Sequence, residues 1–255
     1  MSPPRPTPPD LLPPALLVVA HGDGGDDPRD ETVRLLAERL AKRLDRPVDW
    51  ATLKRPETFA AARRRLTVAL GTDEAAALTG IAVYPLFMSE GWFVRVKLPK
   101  LLAENGFEDP IRLPVLGLDP GLVDLVEHRL RSIASMQGGG VPADFRIALV
   151  AHGSGSGDPG SRRAAEALVA DLAYRLKCRL HLGFLEEAPR FDDLFAEIAP
   201  QIVVGLFVSA GTHAIDDVAA LAARTPSVRH HVDAVGRDAG IASLVESALA
   251  TRCPP

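Results

Sequence analysis

A chain of 255 residues with 47% apolar and 24% charged side chains has the make-up of a globular protein and the length for one large domain or two small ones. Thirty-three acidic residues against 29 basic ones leave a formal net charge of −4, and the only basic clusters are Arg63-Arg64-Arg65 and Arg162-Arg163, which excludes a broad polyanion-binding surface. Two distant cysteines, Cys178 and Cys253, suggest neither a disulfide framework nor a thiolate zinc site.

Residues 1–14 hold seven prolines and read as a solvated tail. The apolar run Ala15 to Ala20 is far short of the ~20 residues that cross a bilayer. No Lys-rich start precedes a small-residue cleavage site, so a cytoplasmic protein is expected. From there short apolar runs alternate with amphipathic stretches. A strand over 16–20 is followed by Val33, Leu36, Ala37, Leu40 and Leu44 at helical spacing. Strands are then expected at 48–53, 81–88 and 111–115, with helices at 57–70, 97–105 and 120–136. Gln137-Gly138-Gly139-Gly140 interrupts the pattern, which restarts with strands at 146–151, 179–185, 201–208 and 230–235. Helices at 161–176, 191–199, 215–223 and 239–250 fill the gaps.

The restart is a copy. Ala20-His21-Gly22 matches Ala151-His152-Gly153, and Pro28 matches Pro159, both at a shift of 131. Leu86-Phe87-x-Ser89-x-Gly91 matches Leu206-Phe207-x-Ser209-x-Gly211 at 120, and Gly117-x-Asp119-x-Gly121 matches Gly236-x-Asp238-x-Gly240 at 119. The expected fold is α/β: two similar lobes from an internal duplication, each a mostly parallel four-stranded sheet flanked by helices, facing each other across a cleft. The chain then divides into a tail at 1–14, an N-terminal lobe at 15–136, a Gly-rich linker at 137–143 and a C-terminal lobe at 144–255.

In open parallel sheets ligands sit beyond the carboxyl ends of the strands. In the second half His152, Glu186 and His213 stand at three such ends, and their first-half counterparts are His21, Lys54 and Phe93. The first copy keeps one of three ligands, so the working site is assigned to the C-terminal lobe and the N-terminal one is degenerate. A His/His/Glu set suits iron, cobalt, nickel or zinc, and each group also accepts a proton near neutral pH. His21 alone reads more readily as a capping or hydrogen-bonded core residue than as a ligand. His128, His181, His230 and His231 lack strand-end placement and read as structural or surface groups. Gly153-Ser154-Gly155-Ser156-Gly157 lacks the spacing of a nucleotide cradle. Its glycines are expected to let a flat ligand approach the backbone. Lys54, Arg55, Arg95 and Lys97, at the strand ends of the first lobe, are candidates for a cationic substrate rim.

Three segments together resemble the class II tetrapyrrole chelatases, within them the sirohydrochlorin cobalt/iron chelatases of the CbiX and SirB type. They are the strand-His-Gly-Ser loop at 148–154, Phe184-Leu185-Glu186 followed by Pro189, and Leu206-Phe207-x-Ser209-x-Gly211-x-His213-x-x-Asp216-Asp217. The resemblance covers roughly residues 15–250. It implies that His152 and His213 bind the metal and that Glu186 assists, with no ATP and no cofactor beyond the substrate metal, cobalt, iron or nickel. It implies a tetrapyrrole and a divalent metal as partners, with neither nucleic acid nor membrane, and a role in cobalamin or siroheme synthesis. In two-lobed members nearest this type the working pair is commonly in the first lobe; here it falls in the second, as in ferrochelatase-like relatives. A non-catalytic metal or tetrapyrrole carrier, a chelatase for another macrocycle and a phosphate-binding regulatory module are the competing readings.

Overall fold

The computed structural model describes residues 13–22, 30–73, 78–135, 145–155, 159–209 and 213–252, the side chains of 213–215 excepted. Most of the Pro-rich tail, the Gly-rich linker, Cys253 and part of each loop after His21, His152 and Ser209 lie outside these residues. Pro13, assigned to the tail by composition, is buried, and its carbonyl accepts a hydrogen bond from Arg46 at 2.9 Å. Packed chain begins there.

The first half runs β1 (Leu16–Ala20), α1 (Glu31–Arg43), β2 (Val48–Thr52), α2 (Glu57–Leu70), β3 (Leu78–Thr79) and β4 (Ala82–Leu86). A π-helical turn (Phe93–Lys97), α3 (Leu98–Glu104), β5 (Phe107–Glu108), β6 (Ile111–Arg112), a 3-10 turn (Leu116–Leu118) and α4 (Pro120–Ser135) follow. The second half repeats the series more compactly. It runs β7 (Ile147–Ala151), α5 (Gly160–Leu176), β8 (Leu180–Phe184), α6 (Phe191–Ile198), β9 (Ile202–Leu206), α7 (His213–Arg224), β10 (His230–Val232), a 3-10 turn (Val235–Arg237) and α8 (Ile241–Arg252). The two-stranded β3–β5 sheet and the π-helical turn have no counterpart in the sequence expectation. Two-residue strands show no period, and a π turn differs from an α turn by a single residue.

Each half builds a parallel four-stranded sheet, in the orders β2-β1-β4-β6 and β8-β7-β9-β10. Helices cover both faces of the sheets, so the first strand of each half is a continuous apolar run, LLVVA and IALVA, buried throughout. Alternation then divides the interior into three cores. Leu16 and Val18 share one core with Ile147 and Leu149 and with the apolar faces of α1, α4, α5 and α8. Leu17 and Val19 pack with Phe59, Leu66 and Leu98 of α2 and α3, while Ala148 and Val150 pack with Leu194, Phe195 and Val218 of α6 and α7. The lobes are joined through a common core, and the cleft is confined to the strand ends.

That junction has an approximate two-fold symmetry within one chain. A side chain placed on Gly121 would come 2.5 Å from Leu244, and one on Gly240 would come 2.5 Å from Leu125. Asp119 and Asp238 each cap the helix beside them, their carboxylates accepting the Gly121 and Gly240 N–H groups at 2.9 and 2.8 Å. Arg43 donates to Glu246 at 2.6 Å, and Arg175 answers across the other side with Asp124 and Glu127. Within each lobe the same repeat closes on a neighbouring loop. A Cβ on Gly117 would sit 1.8 Å from the Met88 carbonyl oxygen, and one on Gly236 would sit 2.3 Å from that of Val208.

Both clashes are with backbone, so relief requires moving a whole loop. Gly117→Ala and Gly236→Ala are each expected to cost about 3 kcal/mol, the upper end for overpacking. Gly91→Ala, which meets open space, should stay within about 0.5 kcal/mol. Denaturant titrations check this, and coincident midpoints for the three variants would contradict the packing described.

Candidate functional site

His21 and His152 occupy corresponding places, one residue beyond β1 and β7. In both lobes the parallel ladder runs on past the strands. Leu53 N–H donates to Ala20 O and Lys54 N–H to His21 O, at 3.0 and 2.9 Å; Leu185 N–H donates to Ala151 O and Glu186 N–H to His152 O, at 3.0 and 3.1 Å. These bonds fix which residue stands beside each imidazole. The glycine that follows turns the chain away with φ of +101° at Gly22 and +75° at Gly153, backbone that a side chain strains. A Cβ on Gly153 would also press on Glu187 and Phe184. This glycine serves the backbone conformation and the fit to Glu187.

In the second lobe His152 Nδ1 lies 3.6 Å from Glu186 Oε2, both side chains about half exposed. The same carboxylate oxygen accepts the Gly155 N–H at 2.9 Å, which ties it to the loop that carries the histidine. Glu187, which sequence reasoning passed over, holds this loop from behind. It accepts the Ser154 N–H at 3.1 Å and two bonds from Arg162 at 2.9 and 2.8 Å. Arg162 also donates to the Ala188 carbonyl, and its guanidinium lies over the Phe184 ring, 4.4 Å from the centroid. The available signal was the Glu186-Glu187 doublet facing Arg162 at the start of α5, but only the fold brings the three together. His213 is the first residue of α7, which follows β9. Its side chain lies outside the described residues, as does the 210–212 segment before it. Among the described residues no three His, Cys, Asp or Glu side chains form a metal-ligating cluster.

The first-lobe counterpart is built differently. The His21 ring packs edge-on against Phe93, 4.7 Å between centroids, and Phe93 in turn meets Trp92 at 5.4 Å. Trp92, just before the π-helical turn, and Phe93 and Val96 on it are exposed to solvent. Lys97 reaches over the Phe93 ring at 5.8 Å. Burial lowers the pKa of His21, with Lys54, Lys97 and, more weakly, His152 acting in the same direction, which favours the neutral imidazole. Of the four rim candidates, Lys54 is exposed beside His21 and Arg95 is exposed on the π-helical turn. Arg55 is turned inward. It pairs with the buried Asp30, which also accepts the Thr52 hydroxyl at 3.2 Å, so its charge is already compensated within the lobe.

Register therefore matches the lobes pair by pair with the charges exchanged: His21 with Lys54 against His152 with Glu186, and Arg55–Asp30 against Glu187–Arg162. Each lobe also closes the other's strand ends. The pocket beside His152 is walled in part by Met88 and Gly117, and the pocket beside His21 by Val208 and Ser209. His181 lies in register with Ala148 on the outer face of its sheet, away from the cleft.

The fold and site define a duplicated parallel α/β protein that carries one histidine per lobe at facing strand ends, with opposite charges beside them. The model of the CbiX family matches residues 15–133 and again 146–252, and the chain belongs to that family. A Halobacterium salinarum protein named as a probable sirohydrochlorin cobaltochelatase is 25% identical over 237 residues, 80% of this chain and 75% of that protein. Among solved structures, CbiX described as the terminal enzyme of siroheme biosynthesis in denitrifying bacteria is 29% identical, with a TM-score of 0.76 over 92% of this chain and 98% of that one. SirB from Bacillus subtilis with Fe3+ shares the fold at 19% identity and a TM-score of 0.70, covering 94% and 95%.

Proposed function

We propose that the chain inserts a divalent metal, cobalt or iron, into sirohydrochlorin without ATP, in the synthesis of cobalamin or siroheme. Insertion exchanges two pyrrole N–H protons for one metal ion. The site must therefore hold an ion, accept protons and keep a polycarboxylate macrocycle in place. His152 and His213 take the incoming ion; as it passes to the ring, one freed imidazole receives one of the two pyrrole protons and the other leaves to solvent. Glu186, within 3.6 Å of His152, adds the negative charge that favours both the ion and an imidazolium. The observation that carries this reading is the exchanged charge across the cleft: Lys54 and Lys97 beside His21 repel a cation and attract substrate carboxylates, while Glu186 beside His152 does the reverse. Membership of the family and the names of the relatives support the same substrate class.

Turnover is followed by the spectral change of sirohydrochlorin with cobalt, iron or nickel, with protoporphyrin as the comparison macrocycle. Many equivalents of metallated product per protein are expected with sirohydrochlorin. A stoichiometric spectral shift without turnover would overturn the reading in favour of a carrier. The double variant Lys54→Glu/Lys97→Glu is expected to raise KM for sirohydrochlorin by about tenfold, two exposed ion pairs at ~0.7 kcal/mol each, with kcat little changed. The effect should shrink as salt is added. An unchanged KM at low salt would remove these lysines from the rim.

A further inference from the structure

We infer that a second ligand site, separate from the cleft, lies between α4 of the first lobe and the β9–β10 edge of the second, and that it takes a small phenolic aromatic acid. A cavity of about 220 Å³ opens there, lined on its apolar side by Leu125, Val126, Val204 and Val235. This is below the ~300–1,000 Å³ of pockets for drug-sized ligands, so it holds a single ring and excludes a tetrapyrrole. The inference is independent of the chelatase reading.

The symmetry of the fold explains why the space exists. Val204 is in register with Leu149 on the central strand of its sheet, as Tyr84 is with Val18 in the first lobe. Tyr84 is fully buried with its hydroxyl unpartnered, and burial holds its pKa well above the usual range, with Asp119 acting in the same direction. The counterpart of Asp119 is Asp238, which lines the cavity. One lobe thus fills with its own phenol the space that Val204 leaves open in the other. A phenolic ligand restores the missing ring, and Asp238, which lines the cavity with one oxygen already bound to the Gly240 N–H, offers its hydroxyl the acceptor that Tyr84 lacks.

The charges at the mouth select an acid. Arg129 and Arg237 both line the cavity. Arg237 is engaged with Asp233 at 3.2 Å, whereas Arg129, exposed on α4, has no side-chain partner among the described residues. Its guanidinium is the group available to a carboxylate at the opening.

The probe is 4-hydroxybenzoate, titrated into the full chain with methyl groups followed by NMR. Saturable shifts are expected at Leu125, Val126, Val204 and Val235. Val204→Tyr, which gives the second lobe the side chain of the first, should abolish them, and Arg129→Ala should weaken binding by about fivefold, the upper range for an exposed ion pair. Absence of saturable binding overturns the proposal, as does binding that shifts the methyls of Met88 and Leu206 in the cleft instead. Wild-type affinity in a folded Val204→Tyr protein overturns it too. If that variant does not fold, Arg129→Ala and the map of shifted methyls decide the matter alone.

Discussion

His213→Ala is expected to lower metal insertion by at least about a hundredfold while the melting temperature stays unchanged. The residue sits at the start of α7, beyond the end of β9, and the first lobe offers Phe93 at the corresponding place, which cannot coordinate. His152→Ala should act in the same way. Glu186→Gln should be milder, about tenfold, since the charge is lost while a coordinating oxygen and an acceptor for the Gly155 N–H remain. His21→Ala is the control. With Lys54 and Lys97 beside it His21 is poorly placed to hold a cation, and its loss should change the rate by less than about tenfold, or ~1.4 kcal/mol in barrier. Single-turnover rates with saturating metal give the comparison. Equal collapse for His21→Ala and His213→Ala would mean that both lobes ligate one ion, and the assignment of the second lobe as the metal-binding one would fall.

Cutting the chain in the Gly-rich segment is the second change with a large expected effect. Fragments 1–137 and 141–255 should each be poorly soluble or molten, and should recover a folded complex when produced together. The reason is the shared core: Leu16, Val18, Leu149 and Val204 belong to one continuous cluster with helices from both halves, so separation exposes apolar surface on each. Gly121 against Leu244 and Gly240 against Leu125 would be uncovered as well. Circular dichroism and size-exclusion chromatography read the outcome. Two stable, soluble monomers would show that the junction is dispensable.

The repeat of the His-Gly, Leu-Phe-x-Ser and Gly-x-Asp-x-Gly blocks was legible along the chain because all three recur in the same order, at separations drifting only from 131 to 119, and it anticipated two similar lobes. Strand edges read within a few residues where both faces are buried, as at Leu16–Ala20 and Ile147–Ala151, since an apolar run has sharp ends. The purpose of the third block was not legible. Gly117 and Gly236 look like turn glycines, yet what forbids a side chain there is the carbonyl of Met88 or Val208, some 30 residues away. Lys54 and Glu186 could be aligned by sequence, whereas the inward pairing of Arg55 with Asp30 and the support of Glu187 by Arg162 depend on how the loops fold over the strand ends. Charge type is written locally. Whether a charge is free to meet a ligand is settled by its neighbours in space.

The near two-fold junction carries a consequence for how such a site evolves. In an assembly of two identical chains every substitution appears twice, so a lysine beside one imidazole brings a lysine beside the other, and a glutamate likewise. The exchanged pairs Lys54/Glu186 and Arg55–Asp30/Glu187–Arg162 are therefore inaccessible to a homodimer with this interface. Joining the copies in one polypeptide releases each from the other's sequence while keeping the packing that the symmetry made stable. A planar substrate has an edge bearing anions and a face that must receive a cation. A covalently fused pair can answer the two demands with two different halves.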